Sequence, residues 1–255
     1  MPNAADIYYH AYAGGEQGEK PPIILIHGAG GNHLYWPSEI RRMPGYQVYA
    51  LDLPGHGKSG GCGQQSIPLY AQSILAWLTE MDLHRAIFVG HSMGAAIALT
   101  IALDFPEHVL GLGLIGAAAS LPVASAILEK TASPTTFQNA VELVTGWSFA
   151  RQTDARLVEL ATLRMGETRP SVLHGDFLAC DAFDITGRVS EILQPALVIV
   201  GAEDRMTPPR EAQFLASSLP KARLETIPNA GHMVMLEQPQ AVAQALQQLF
   251  GEVSY

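Results

Sequence analysis

Serine, histidine and aspartate together can carry out acyl transfer, and this chain places one of each just past the end of an expected strand. Residues 86–104 read AIFVGHSMGAAIALTIALD. The apolar stretch Ala86–Val89 stops at Gly90-His91-Ser92-Met93-Gly94, and a run rich in Ala, Ile and Leu follows at once. The first stretch reads as a buried strand and the second as a buried helix. A serine between two glycines at such a junction is a nucleophile elbow. The glycines let strand and helix approach closely, and the serine hydroxyl stands free above the strand tips. The same spacing recurs at Gly57-Lys58-Ser59-Gly60-Gly61, in a glycine-rich run with no apolar helix behind it. Ser59 is therefore read as a loop serine and Ser92 as the nucleophile.

A serine hydroxyl needs a base, and the base needs an orienting carboxylate. Residues 196–204, ALVIVGAED, read as a strand ending at Asp204; residues 222–232, ARLETIPNAGH, read as a shorter strand and a turn ending at His232. The neighbouring Glu203 is set aside because adjacent side chains at a strand end point opposite ways. Of the other histidines, His27 and His56 sit in glycine turns and are read as local anchors. His91 is expected to point away from Ser92. Tetrahedral acyl intermediates also need fixed N–H donors. The amide of Met93 is one candidate. The second is Ala29, in the turn after IILIHGAGG (23–31), with Gly30 as second choice. That turn has no Gly-Lys-Ser/Thr ending, which argues against a phosphate loop.

The elements that must hold these residues alternate. Strands are expected at Ile7–Ala13 (an edge strand followed by a polar turn), 23–27, 47–52, 86–90, 109–115 and just before Asp204 and His232. Helices are expected at 67–81, with Leu69, Ile74, Leu78 and Met81 inward, and at 93–104, 209–218 and 239–250. The fold class expected is α/β, a doubly wound and mostly parallel sheet covered on both faces. Residues 117–189 break the alternation with helical pieces at 122–130, 135–145, 153–164 and 171–180. They are read as a helical cap inserted into a core formed by 1–116 and 190–255. Trp147 and Phe177 from this segment, with Met206 and Met233 beside the acid and base, are the candidate pocket walls. The competing reading of the aromatics is that they fill the cap's own core.

The pieces LIHGAGG (25–31), YALDLPGHGKS (49–59), VGHSMG (89–94), GAEDRMTP (201–208) and GHMVMLEQP (231–239) resemble the α/β-hydrolase superfamily. The branch is that of small bacterial serine esterases and C–C hydrolases. The resemblance covers roughly residues 6–116 and 195–251. It implies a serine carboxylesterase acting through an acyl-enzyme on small to medium, largely apolar esters, with no cofactor and no metal. Dehalogenases and epoxide hydrolases of this fold use an Asp nucleophile, whereas this chain has Ser92. C–C hydrolases usually have Asn where His91 stands, together with a cap arginine that Arg151, Arg156, Arg164 and Arg169 do not identify. Perhydrolases usually carry an aromatic residue where Ala29 stands. The alternatives kept open are a C–C hydrolase or lyase, and a slow-turnover ligand receptor of the same fold.

Composition narrows the partners. The 255 residues are 48% hydrophobic, and the net charge of −9 comes with no basic run. This argues against nucleic acid and anionic membranes; a small-molecule ester is the partner that the resemblance implies. A homodimer is kept open, since the sequence does not give the oligomeric state. The opening MPNAADIYYH has no signal-like pattern, and Cys62 and Cys180 lie far apart. Two free thiols in the cytoplasm are expected.

Overall fold

Ile23, Ile24, Leu25 and Ile26 are consecutive and all buried, because the sheet uses both of their faces. Ile24 and Ile26 point into one apolar cluster, Ile23 and Leu25 into the other. A computed structural model describes residues 3–13 and 20–253 of the chain. The strands are β1 Asn3–Ala4, β2 Ile7–Ala13, β3 Ile23–Ile26, β4 Gln47–Leu51, β5 Ala86–His91, β6 Val109–Ile115, β7 Ala196–Gly201 and β8 Ala222–Ile227. They form one sheet in the order β1-β2-β4-β3-β5-β6-β7-β8. β1 and β2 pair antiparallel, as do β2 and β4, and every other pairing is parallel. The two-residue β1 lies outside β2, so Ile7–Ala13 is one strand in from the edge expected of it. The polar turn expected after Ala13 lies outside the described residues.

The helices are α1 Ser38–Arg41, α2 Ile67–Glu80, α3 Met93–Asp104, α4 Ser125–Thr131, α5 Phe137–Ser148, α6 Ala155–Gly166, α7 Pro170–Asp181, α8 Pro209–Ser218, α9 Val234–Glu237 and α10 Pro239–Glu252. Apolar residues of α2, α3 and α8 cover one face of the sheet, and those of α1 and α10 cover the other. The chain therefore has the α/β architecture expected, with a mostly parallel sheet flanked by helices. No helix of the described residues is long and apolar enough to cross a membrane.

α2 has the expected span, and Ile74, Leu78 and Met81 pack against the core as expected, whereas Leu69 does not. Its buried stripe is Ile67, Tyr70, Ala71, Ile74, Trp77 and Leu78, a clean 3.6-residue repeat. Leu69 is 45% exposed, and Met81 is half-buried. Burying Tyr70 and Trp77 sets the rotation of this helix, because the aromatics remove the most apolar surface from water.

Helices α4 to α7 all lie in the connection from β6 to β7. Ile127, Phe137, Val141, Val144, Met165, Leu173 and Phe177 give them an apolar cluster of their own. Phe149 and Phe183 pack instead into the two sheet-face clusters. These helices are thus held both to one another and to the sheet.

Candidate active site

β5 ends at His91 and α3 begins at Met93, so the whole change of direction falls on Ser92, at φ 53°, ψ −115°. A Cβ on Gly90 would be driven into the Gly94 carbonyl, and one on Gly94 into the Ile26 carbonyl of β3. Backbone contact this close is what restricts both positions to glycine. The Ser92 N–H donates to Ile115 O (2.9 Å), and its carbonyl accepts from the N–H groups of Ala95 and Ala96. Its hydroxyl has no hydrogen-bond partner among the described residues.

Asp204 lies just past β7 and is almost wholly buried, yet its carboxylate is saturated with donors. Oδ1 accepts from Met206 N (2.8 Å) and Thr207 N (2.9 Å). Oδ2 accepts from Thr207 Oγ1 (2.9 Å) and His232 Nδ1 (2.8 Å). Burial alone would raise its pKa, but the charge and hydrogen bond of His232 and the donors of Thr207 outweigh it. The carboxyl is held below its ordinary range. With Nδ1–H committed to a carboxylate, the lone pair of His232 is on Nε2. Thr207 was not singled out from the sequence. Its position three residues after Asp204 is the signal that could have found it, since a carboxylate commonly accepts from backbone N–H groups just ahead of it.

The histidine next to the serine does not compete for this role. Its side chain donates from Nε2 to the carbonyl of His232 (3.0 Å), with the two rings 4.8 Å apart. Burial, reinforced by the nearby His232, pushes the pKa of His91 down to about 3. His27 is likewise buried, with Nδ1 on Gly28 O (2.8 Å) and Nε2 accepting from Leu53 N (3.0 Å). Burial and neighbouring His56 lower it to about 4.

The N–H groups of Ala29 and Met93 have no acceptor among the described residues. Ala29, Ser92 and His232 line one cavity of about 380 Å³ between the strand tips and the helices of the β6–β7 connection. Trp147, Phe177 and Met206 also line it. Met233 does not. It is buried in the sheet-face cluster with Phe149, Ala230 and Val234, and its N–H donates to Ser148 O (3.0 Å). Next to His232 in the chain, it faces the other way. Arg205 is a wall residue the sequence did not suggest. Its guanidinium donates to Gly146 O (2.5 Å) and Phe149 O (3.1 Å) at the end of α5. Glu203 is exposed, and its carboxylate accepts from Arg151 N (3.2 Å). No group of three or more His, Cys, Asp or Glu suited to a metal ion occurs among the described residues.

A mostly parallel sheet with a serine on a tight elbow, facing the same cavity as a histidine that is bonded to a buried carboxylate, is the plan of an α/β hydrolase. Residues 21–239 match the family model described as the alpha/beta hydrolase fold, and the chain belongs to that family. It is 31% identical over 237 residues to a pimeloyl-[acyl-carrier protein] methyl ester esterase of Pectobacterium carotovorum, covering 86% of this chain and 90% of that one. A thermophilic esterase of known structure is 30% identical, with a TM-score of 0.82 and coverage of 97% and 99%. The enol-lactonase of Burkholderia xenovorans LB400 has a TM-score of 0.90 at 22% identity, covering 98% and 100%, a likeness in fold.

Proposed function

We propose that this chain is a serine carboxylesterase that cleaves small to medium, largely apolar esters through an acyl-enzyme. The observation that carries the reading is a free Ser92 hydroxyl opening onto the same cavity as a histidine already bonded to a buried carboxylate. In this reading Ser92 attacks the ester carbonyl while His232 Nε2 takes its proton. Asp204 fixes the imidazole tautomer and supports the imidazolium that forms. The amides of Ala29 and Met93 receive the developing oxyanion. His232 then protonates the leaving alcohol, and a water that it activates releases the acid. The helices between β6 and β7 act as a cap, and Trp147, Phe177 and Met206 shape the acyl site. Esterases among the relatives support ester hydrolysis as the reaction. An exposed free thiol at Cys62 fits a reducing, cytoplasmic setting.

A panel of p-nitrophenyl esters from acetyl to dodecanoyl tests this directly. Steady turnover by the wild type, lost in Ser92→Ala, is expected. A single slow turnover would mean a ligand receptor. Cleavage of a vinylogous diketone without ester turnover would mean a C–C hydrolase.

A further inference from the structure

Asp176 has no part in the chemistry just described, yet its carboxylate is fully buried on cap helix α7. Its three partners all come from outside the cap. Tyr70 Oη of α2 donates to Oδ1 (2.6 Å), and His56 Nε2 and the Gly30 N–H both donate to Oδ2 (2.8 Å each). Both ring nitrogens of His56 face acceptors, Asp176 on one side and Pro54 O (3.1 Å) on the other. The ring is therefore doubly protonated, and the pair is ionic. Burial opposes that charge, but Asp176 prevails and holds the His56 pKa above its ordinary value. Burying two ions costs several kcal/mol before pairing, so such a pair contributes more to fixing a unique arrangement than to net stability.

The arrangement it fixes is the peptide beside Ala29. A second cap residue, Thr168, donates its hydroxyl to Gly30 O (2.9 Å). Both polar groups of Gly30 are thus held from the cap. Gly30 has φ +63°, and a Cβ there would sit 2.7 Å from Leu173 Cδ1 of α7. On the other side of Ala29, the Gly28 carbonyl accepts from Gly31 N (3.0 Å) and His27 Nδ1 (2.8 Å). In a trans peptide the N–H points opposite the C=O. Locking the Gly28 carbonyl inward therefore aims the Ala29 N–H outward. The Gly30 carbonyl that Thr168 holds and the Gly31 N–H that bonds the Gly28 carbonyl belong to one peptide, so the cap, together with His27 of the core, holds the peptide that carries the Ala29 N–H.

Resting on the esterase reading, we propose that Asp176 and Thr168 are positioning residues for the oxyanion site: the cap clamps Gly30 and so sets the aim of the Ala29 N–H. Seating the cap and completing the oxyanion site are then one event.

The test uses Thr168→Val, Thr168→Ser and Asp176→Asn, with wild type and Ser92→Ala as controls. The readouts are kcat and KM on the preferred p-nitrophenyl ester, Ki for a trifluoromethyl ketone that forms a tetrahedral adduct, and melting temperature. A misaimed donor should lower kcat about tenfold to a hundredfold. Thr168→Val and Asp176→Asn should show that loss with KM within about twofold, and Ki should rise in proportion. Thr168→Ser should restore both. A fall in melting temperature with kcat and Ki unchanged would reduce both residues to cap anchors and overturn the proposal. Failure of the wild type to turn over any ester would remove the esterase reading itself, and the positioning role with it.

Discussion

Ser92 and Ser59 each stand two residues from a glycine on either side. At Ser59 the hydroxyl is committed to structure. It donates to Asp52 O (2.5 Å) and accepts from Tyr8 N (2.8 Å), tying the loop after β4 to β2. At Ser92 the strand-to-helix turn takes up the backbone groups and leaves the hydroxyl open. The flanking glycines differ as well. Gly90 and Gly94 are in contact with neighbouring backbone, whereas a Cβ on Gly57 would meet the Asp52 side chain and one on Gly61 would meet only Gly55 N at 4.0 Å; one on the intervening Gly60 would meet nothing within 4 Å. One spacing thus serves two purposes, and the backbone that follows it decides which.

The largest effect expected from breaking this contrast is in Ser92→Ala, which should lose on the order of 10⁴ to 10⁶ in kcat and all fluorophosphonate labelling. Ser59→Ala should keep wild-type kcat. Leaving the Tyr8 N–H without its acceptor should cost about 1–3 kcal/mol in urea unfolding. Labelling of Ser92→Ala at the wild-type rate would end the assignment. The same contrast applies to the adjacent acids. Asp204→Asn should lower kcat about 10⁴-fold and Glu203→Gln far less, and the reverse result would exchange their roles.

Gly94→Ala must displace the β3 backbone at Ile26 and should be severely destabilising, about 4 kcal/mol or more. Gly60→Ala should stay within about 0.5 kcal/mol of wild type. Equal midpoints for the two would refute the close-contact account of the elbow.

The histidines near the two serines differ in charge, which gives pH effects of opposite sign. His91, with a folded pKa of about 3, stays neutral in the native state, whereas the unfolded chain takes up a proton below ~6.5. Stability should therefore fall as pH drops from ~6.5 toward 3, by about 1.4 kcal/mol per pH unit for such a group. His27 adds the same sign down to about 4. His56, with its pKa raised, contributes stability that is present below ~6.5 and lost as pH rises through its folded value. Urea unfolding from pH 7 to 4 measures the acid limb, and His91→Gln should flatten it. An unchanged slope would mean that His91 is not held neutral by burial.

The smallest effect concerns the cavity above the elbow. Trp147→Ala should shift preference toward longer acyl chains. Up to ~0.8 kcal/mol for each methylene newly buried is roughly a fourfold gain in relative kcat/KM per carbon. An unchanged profile with a lower melting temperature would make Trp147 a packing residue.

Much of this was legible because it is local. Ser92 and Asp204 each follow an apolar run that stops at a turn, His232 closes the turn after a shorter strand, and every helix from α2 to α8 overlaps the span its periodicity suggested. What was not legible depends on partners distant in sequence. Asp176 lies 146 residues from Gly30 and 120 from His56, and nothing near it in the sequence marks it as buried. Leu69 of α2 was misplaced because it looks as apolar as Tyr70 and Trp77, and the choice depended on the surface each would bury. Met233 was assigned to the pocket by adjacency to His232, although its side chain packs into a sheet-face cluster while that of His232 lines the cavity.

The backbone at Ser92 has a consequence for how freely the rest of the sequence can vary. A non-glycine residue at φ 53°, ψ −115° carries about 1–3 kcal/mol of conformational strain. Domains are typically stable by only about 5–15 kcal/mol in total. The elbow therefore removes an appreciable share of the margin that absorbs random substitutions. A change costing 1–2 kcal/mol anywhere in the sheet would reduce the amount of folded protein a cell maintains more sharply than in a relaxed chain. Variants of this chain that drift neutrally are expected to gather compensating stabilisers far from the cavity, where they leave the turn at Ser92 undisturbed.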